Sequence, residues 1–447
     1  MAQSKADKKD LTKGPVWQNL FNLSAPMILG ITAVLSISLV DTYFVSQLGT
    51  AELAALSFTF PVALTIASIA IGLGAGASSV VSRAIGAKRA NRAKRLSTDS
   101  LMLGFIVVLI LSTIGFFTIR PLFGMMGAEG DVLDLIERYM RIWYLSMPFL
   151  VVPMIASALI RAAGDAYWPS VIMMTSAALN IALTPAMIYG WWIFPEMHIE
   201  GAAIATMCAR MFIFVFAGPI VVFREKMVVN PFDDLAEIVS SWQEVLKISI
   251  PAAVGNATYP IVTGVVTAIL SQYGEAVVAA YGSATRIEAF AIIPLLAISS
   301  AIGPIAGQNW GAGIKDRVKE AQIQSYGFSA IWSLILFAVM YFAGPTLASV
   351  FSSDAEVMAH IDRYLKIVSI SFFGYGISVI AAGCFNGIGR PFTALTYYAI
   401  RSVGLILPLC YAASYFVDTV PAVFIAIACA NVISGLSIAW HALRQCY

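Results

Sequence analysis

The stretch NLSAPMILG at residues 22–30 recurs as KISIPAAVG at residues 247–255, at a constant shift of 225 positions. Without a gap, the same shift superposes glycine, proline, glutamine and arginine positions along most of the chain. Chance matching between apolar residues does not produce coincidences of these types, so the fixed period indicates an internal duplication. The superposed pairs include Ser24 and Ser249, Pro26 and Pro251, Gln47 and Gln272, Gly86 and Gly311, Arg92 and Arg317, Tyr139 and Tyr364, and Gly164 and Gly389.

The composition around this repeat is that of a membrane protein. Of the 447 residues, 59% are hydrophobic and only 12% are charged, whereas a soluble domain has about 25% charged residues. Such a chain cannot cover a surface that faces water, which argues against a soluble enzyme and a disordered chain. The net charge of +2 leaves no basic excess for binding nucleic acid.

Twelve stretches are long and apolar enough to cross a bilayer, which takes about 20 residues of helix. We therefore predict an all-α polytopic membrane protein with 12 transmembrane helices in two six-helix lobes. Because six spans return the chain to its starting side, the lobes are expected to be related by a pseudo-two-fold axis along the membrane normal. The predicted spans are 17–46, 52–82, 97–119, 133–158, 168–192, 201–223, 243–271, 276–306, 322–344, 358–384, 392–416 and 420–443.

Lysine and arginine predict the orientation, because cytoplasmic connections are enriched in them. The connection at residues 83–95 reads RAIGAKRANRAKR, and the one after the eighth span carries Lys315, Arg317 and Lys319, whereas the alternate connections are acidic. Both termini are therefore expected in the cytoplasm. The predicted organisation is a cytoplasmic tail at 1–16, an N-lobe at 17–223, a charged cytoplasmic linker at 224–242 and a C-lobe at 243–443.

Asp41 is the outstanding ionisable residue of the first span. It lies in SISLVDTYFVS at residues 36–46, with no lysine or arginine within a helical turn. A charge inside the bilayer is costly and marks function by default, and apolar surroundings disfavour the ionised form of a carboxylate. The sequence predicts a group that binds and releases a proton. The alternative is an aspartate at the outer interface, because Gln47, Gly49 and Glu52 mark the nearby end of the span.

Three polar residues in the fifth and sixth spans are candidates for the surroundings of Asp41. Asn180 and Thr184 are four residues apart and share a helix face, and Thr206 adds a further oxygen. If they converge on Asp41, the oxygen cluster can bind Na⁺ or hydrogen-bond the carboxyl group. Ordinary polar contacts between helices, worth about 0.6 kcal/mol each, are the alternative.

The remaining candidates are an aromatic residue, a charged pair and a proline. Tyr43 can contact a ligand or lipid, and Arg286 with Glu288 can line a cavity or join a structural ion-pair network. Pro26 can act as a hinge of the first span or simply begin it. The five cysteines and three histidines follow no ligand spacing, so no metal site, disulfide framework or cofactor is expected.

The segments NLSAPMILG, VDTYFVSQLG at 40–49, RIEAF at 286–290 and GQNWGAG at 307–313, in two six-span halves, resemble the multidrug and toxic compound extrusion (MATE) family. The resemblance covers about residues 17–443. Within the family, the chain is similar to the bacterial branch typified by DNA-damage-inducible protein F (DinF), which has its acidic residue at the position of Asp41. The segments 251–264 and 364–383, where another large branch has carboxylates, contain no acid.

The resemblance implies export of cationic amphipathic drugs by alternating access, driven by inward flow of H⁺ or Na⁺. It also implies a cation site made of Asp41, Asn180, a second aspartate one turn later, and the threonine that matches Thr206. This chain has Thr184 in place of the second aspartate. One carboxylate fewer weakens Na⁺ binding, since hard cations favour anionic oxygens, so the sequence favours H⁺.

We therefore predict a secondary active multidrug antiporter of the bacterial inner membrane, in which Asp41 couples export to H⁺. The expected partners are small cationic drugs or dyes, H⁺ and the lipid bilayer, with no nucleic acid. A monomer is expected because the repeat supplies both lobes. Two alternatives stay open: a Na⁺-coupled antiporter that binds the ion at Asp41, Asn180 and Thr206, and a lipid-linked oligosaccharide flippase, which basic residues such as Arg210 and Arg401 favour.

Overall fold

The computed structural model describes residues 10–191, 193–230 and 235–445, without the side chains of residues 235 and 236. Parts of the predicted tail and linker, including Lys5, Lys8, Lys9, Asp233 and Asp234, lie outside the described residues, as does Cys446. All regular secondary structure within the described ranges is helical.

The described residues of the first half form eight helices, of which the last ends in a π-helical turn at Ile220–Arg224. They are α1 (Val16–Ser46), α2 (Thr50–Gly86), α3 (Ala90–Phe117), α4 (Ile119–Met125), α5 (Gly130–Ser146), α6 (Pro148–Ala162), α7 (Tyr167–Tyr189) and α8 (His198–Pro219).

Within residues 235–445, the second half forms nine helices, interrupted by a π-helical segment at Ile400–Ile406 and by 3₁₀ turns at Ser271–Tyr273 and Ser369–Ser371. They are α9 (Leu235–Leu270), α10 (Glu275–Ala291), α11 (Ile293–Gly311), α12 (Lys315–Phe351), α13 (Ala355–Val368), α14 (Phe372–Gly387), α15 (Pro391–Ala399), α16 (Leu407–Phe416) and α17 (Val420–Gln445).

Ten helical runs among the described residues are long and apolar enough to cross a membrane, and two bent pairs raise the number to twelve. The pairs are α5 with α6, bent by 42°, and α10 with α11, bent by 48°. A proline lies at each bend, Pro148 and Pro294, where its ring and missing N–H prevent regular continuation of the helix. The predicted all-α fold with twelve spans in two lobes is confirmed.

The helix α9 begins at Leu235, inside the predicted linker and before the predicted start of the span at residue 243. Two other spans also begin early, each within a basic connection. The helix α3 begins at Ala90 rather than at residue 97, and α12 begins at Lys315 rather than at residue 322. Each extra segment carries basic residues that hydropathy assigns to a connection. Lysine and arginine favour helices almost as much as leucine does, so the helix continues into the polar region.

The duplication recurs in the backbone conformation. Gly164 and Gly389, which the repeat superposes, have φ of 88° and 81°. Lys88 and Gly313, also superposed, have φ of 59° and 78°. These values lie in the left-handed region, which glycine enters without a steric cost and lysine does not. The connections after the second and eighth spans therefore make the same turn with different residues.

The chain folds into two compact units, and neither of them is a single continuous segment of the sequence. We call them the N-unit, Ala25–Ile85 with Arg89–Ile250, and the C-unit, which has the described residues up to Ser24, Gly86–Lys88, and those from Pro251 onward. The helix α1 therefore begins in the C-unit and continues in the N-unit, and α9 does the reverse. We call the points where α1 and α9 pass from one unit to the other the crossings. They lie beside Pro26 and at Pro251, two residues that the repeat superposes.

Each unit has its own hydrophobic core. The N-unit core is centred on α3, α5 and α6, with fully buried side chains such as Phe123, Met147 and Leu159. The C-unit core is centred on α13, α14 and α17, with Phe372 and Phe424 fully buried. Each unit therefore has an apolar interior of its own.

Candidate functional site

Asp41 is near the end of α1, inside the N-unit, and is partly buried. The hydroxyl of Thr184 on α7 donates to Asp41 Oδ1 at 2.9 Å. The hydroxyl of Thr206 on α8 approaches Asp41 Oδ2 at 3.5 Å, which is long for a hydrogen bond. Side chains from three helices therefore meet at this carboxyl group.

Asn180 lies one turn before Thr184 on α7 and is fully buried. Its Nδ2 donates to Thr206 Oγ1 at 3.2 Å, which links α7 to α8. Its Oδ1 accepts no hydrogen bond from the described residues. Buried polar atoms nearly always have a partner, so this acceptor is an exception that a water molecule, another donor or a cation would satisfy.

Arg210 lies one turn after Thr206 on α8, close enough to Asp41 and Tyr139 for an electrostatic interaction. Its Nη1 donates to Ser146 Oγ at 2.6 Å, and its guanidinium group lies 5.2 Å from the centre of the Trp143 ring. A cation over an aromatic ring is stabilised by the ring quadrupole. The spacing of four residues between Thr206 and Arg210 places both side chains on one face of α8, but the sequence does not show that this face is turned towards Asp41.

An aromatic group lies beyond Asp41 at the end of α1. Tyr43 is 59% exposed and makes an edge contact with Phe44, with ring centres 5.3 Å apart. The hydroxyl of Tyr189 lies 3.3 Å both from the carbonyl oxygen of Phe44 and from Gln47 Oε1. Tyr43 thus presents an accessible ring close to Asp41 in the sequence, without contacting the carboxyl group.

The pair Arg286 and Glu288 on α10 divides between two environments. Arg286 is exposed, whereas Glu288 is only 6% exposed. The hydroxyl of Tyr364 on α13 donates to Glu288 Oε2 at 2.6 Å. Two residues apart on a helix, these side chains point in different directions, so they do not form one site.

Glu288 borders a polar cavity of about 30 Å³ inside the C-unit. Arg401, in the π-helical segment, also lines this cavity; its Nε donates to Asn431 Oδ1 at 2.9 Å. Asn431 in turn donates to Ser371 Oγ at 3.1 Å. Turns of π-helix are frequent at functional sites. We call this second group of polar residues the Glu288 cluster; its members are Glu288, Tyr364, Arg401, Asn431 and Ser371. The sequence predicted Glu288 as a candidate site residue but did not relate it to the other four.

The described residues hold no group of three or more histidine, cysteine, aspartate and glutamate side chains that could bind a metal ion. A carboxylate with neutral hydroxyl and amide partners, as at Asp41, suits a proton or a weakly held monovalent cation. Divalent ions prefer several anionic oxygens.

The MatE family model matches residues 26–186 and, a second time, residues 251–412. The two matches begin 225 residues apart, as the internal repeat does, and together they cover more than half of the chain.

Curated relatives span nearly the whole length. A FAD transporter of Shewanella oneidensis is 37% identical over 98% of this chain and 97% of its own length. The multidrug export protein MepA of Staphylococcus aureus is 27% identical over 89% of this chain and 87% of its own. The Vibrio cholerae MATE transporter VcmN, in a crystal structure of its bent form, has a TM-score of 0.91 and 29% identity, covering 99% and 98% of the two chains.

Proposed function

Since this chain belongs to the MatE family of membrane transporters, we propose that it exports amphipathic small molecules in exchange for protons, with Asp41 as the coupling carboxylate. Members of the family are transporters rather than enzymes, and multidrug efflux is an activity of its relatives. The proposal concerns the coupling ion, the residue that binds it and the class of substrate.

The observation that supports proton coupling is the arrangement of Asp41, Thr184 and Thr206. One carboxylate meets two neutral hydroxyl groups. Neutral oxygens are weaker ligands than carboxylates for a hard cation such as Na⁺, whereas a single carboxyl group suffices to carry a proton. The threonine at position 184 therefore favours H⁺ over Na⁺.

Protonation changes what Asp41 can do in this cluster. An ionised carboxylate only accepts hydrogen bonds, but a protonated one also donates. The same cluster contains an acceptor without a donor, Asn180 Oδ1. Loss of the charge also ends the attraction between Asp41 and Arg210. A ligand shifts an equilibrium only through its different affinity for the two states. These two changes supply that difference, so uptake of H⁺ favours one packing of α1 against α7 and α8.

Reconstituted protein in liposomes tests the coupling. We expect a pH gradient alone to drive efflux of ethidium by the wild-type protein, and Asp41→Asn to reduce efflux to the level of empty liposomes. Asp131→Asn is the matched control, because Asp131 is exposed at the start of α5. Full efflux by the Asp41→Asn protein would contradict the assignment of Asp41.

Na⁺ coupling is the second candidate, favoured by the unpaired Oδ1 of Asn180. An amide oxygen beside a carboxylate and a hydroxyl is a combination that binds Na⁺. In the same liposomes, efflux that needs a Na⁺ gradient and is unaffected by a pH gradient would establish this candidate and exclude H⁺.

Two substrate classes have support from relatives. The multidrug relatives favour cationic amphipathic drugs. The Shewanella relative, named a FAD transporter and similar over nearly the full length, favours a dinucleotide that carries negative charge. Ethidium and FAD, offered separately to the same liposomes, distinguish a cation exporter from a flavin exporter, because the protein should transport one much faster than the other.

We also propose that the protein lies in the bacterial inner membrane as a monomer, with both termini in the cytoplasm. The basic connections at 83–95 and around Arg317 support this orientation by the positive-inside rule.

A further inference from the structure

Glu288 is a buried carboxylate that the proposed coupling at Asp41 does not use. It is 6% exposed and accepts a hydrogen bond from Tyr364 at 2.6 Å. No lysine or arginine among the described residues lies within ion-pair distance of it. A buried carboxylate without an ion pair is costly in its ionised form, a cost that the electrostatic interaction with Arg401 offsets only in part.

The repeat gives the Glu288 cluster a counterpart in the N-unit. Tyr364 superposes on Tyr139, which is near Asp41, and Asn431 superposes on Thr206, which contacts Asp41. The carboxylates themselves do not superpose: Val266 stands at the position of Asp41, and Ala63 at that of Glu288. Each unit therefore brings one carboxylate to the same pair of positions, but from a different helix.

We propose that Glu288 is a second proton-binding site, within the C-unit, and that it loads and releases one proton in each transport cycle. This inference rests on the proposed function, because it adds a proton to an exchange that Asp41 drives. The reaction is a simple acid–base exchange, in which hydronium transfers a proton to the carboxylate of Glu288 and water remains.

The surroundings favour a proton over a metal cation. Arg401 lines the same cavity and repels a metal ion that keeps its charge there, whereas a proton bound to Glu288 gives a neutral carboxyl group. No second carboxylate among the described residues borders the cavity. A volume of about 30 Å³ accommodates only a few water molecules. A water molecule in this cavity would lie beside Glu288 and exchange a proton with it, which an apolar interior would not allow.

Aromatic hydroxyls and one arginine are the titratable and charged groups that face Glu288. They are Tyr259 on α9, Tyr281 on α10, Tyr364 on α13, Tyr375 on α14 and Arg401 on the π-helical segment. The helix α17 contributes the neutral Asn431 to the lining of the same cavity. Tyrosine ionises only far above neutral pH and arginine stays charged. Glu288 is the one carboxyl group among them, and it is the group to which we assign the exchanged proton.

Infrared difference spectroscopy on the purified full-length protein tests the proposal without any transport. Spectra recorded between about pH 5 and pH 9 follow the C=O stretch of protonated carboxyl groups. We expect a band in the wild type that Glu288→Gln loses and Asp41→Asn retains. Glu275→Gln is the matched control, since Glu275 is exposed at the start of the same helix. A Glu288→Gln spectrum identical to that of the wild type would overturn the proposal.

Tyr364→Phe covers the case in which Glu288→Gln fails to fold. It removes the hydrogen bond but retains the carboxyl group, so the band should remain and move in frequency. No movement of any carboxyl band in Tyr364→Phe would equally overturn the assignment.

The number of protons per substrate separates this inference from the proposed function. In liposomes, the pH gradient that just balances an opposing substrate gradient gives the ratio, which we expect to fall by one in Glu288→Gln. An unchanged ratio would contradict the role in transport. If a gradient of H⁺ does not drive transport by the wild-type protein, the proposed function is wrong. The infrared experiment still tests proton binding at Glu288, because it does not depend on transport.

Discussion

Thr184 donates a hydrogen bond to Asp41 at the position where the family pattern places a second aspartate. A hydroxyl group donates as well as accepts, so it can satisfy an ionised carboxylate directly. A second carboxylate would repel the first unless a cation or a proton lay between them. We therefore propose that this one side chain determines whether the cluster around Asp41 prefers H⁺ or Na⁺.

At the scale of this residue, we expect Thr184→Asp to make transport respond to Na⁺. The added anionic oxygen should lower the Na⁺ concentration for half-maximal stimulation at least tenfold, which corresponds to about 1.4 kcal/mol. Substrate flux in liposomes, measured against external Na⁺ at fixed pH, gives this value.

The matched control is Thr184→Asn, which is similar in size to aspartate and carries no charge. An equal response to Na⁺ in both variants would show that charge is not the cause. No response in Thr184→Asp would contradict the role of Thr184 in ion selection.

At the scale of helices, hydropathy predicted which segments are helical better than where they end. All twelve apolar stretches correspond to helical runs, because burial in lipid leaves the backbone no other way to satisfy its polar groups. The bends at Pro148 and Pro294 follow from proline, whose effect hydropathy does not include, whereas the π-helical segment around Arg401 depends on tertiary packing. The closeness of Arg210 to Asp41 also depends on helix rotation, which spacing alone does not determine.

The candidate site was partly predictable for the same reason. Asn180 and Thr184 share a face of α7 by periodicity, and the structure brings Thr184 and Thr206 to Asp41. The partners of Glu288 come from helices far apart in the sequence, and no local pattern relates them. Only the repeat connects Tyr364 with Tyr139.

The packing of α14 against α17 leads to a prediction at the scale of elements. A Cβ atom added at Gly374 would collide with the carbonyl oxygen of Asn431, and one at Gly435 would collide with the backbone of Gly374. Small residues let membrane helices approach this closely. We expect Gly374→Ala to lower the free energy of unfolding by about 2–3 kcal/mol, as overpacking does, and to lower the apparent melting temperature in detergent.

Gly264→Ala on α9 is the control, because open space surrounds that position. There, alanine should stabilise the helix by about 0.5–1 kcal/mol. Melting followed by tryptophan fluorescence compares the two variants. Equal stability of both would refute the close approach of α14 and α17.

At the scale of the whole molecule, the two units are joined by helices that begin in one and continue in the other. In the C-unit, Asn309 donates to the carbonyl oxygen of Leu11 at 3.0 Å, just before α1 begins. In the N-unit, Arg92 donates to Ser241 at 3.1 Å and to Glu244 at 3.0 Å near the start of α9. Hydrogen bonds therefore hold the start of α1 to the C-unit and the start of α9 to the N-unit, which are the units in which these helices begin.

The crossings beside Pro26 and at Pro251 are where such a helix can bend, since proline lacks the N–H that closes a helical turn. Pro26 was the hinge proposed from the sequence, and the repeat gives it a partner in Pro251. If the packing of both units changes during transport, we expect α1 to bend beside Pro26 and α9 to bend at Pro251 in the same step.

We therefore expect Pro26→Ala and Pro251→Ala each to slow substrate flux about tenfold, equivalent to about 1.4 kcal/mol in the barrier, and the double variant to be slower still. Alanine restores the backbone hydrogen bond, so the apparent melting temperature should rise as the flux falls. Pro61→Ala is the control, because Pro61 lies within α2 and inside the N-unit. If Pro61→Ala slows flux as much as the other two, or if these retain the full rate, bending at the crossings is not part of the transport cycle.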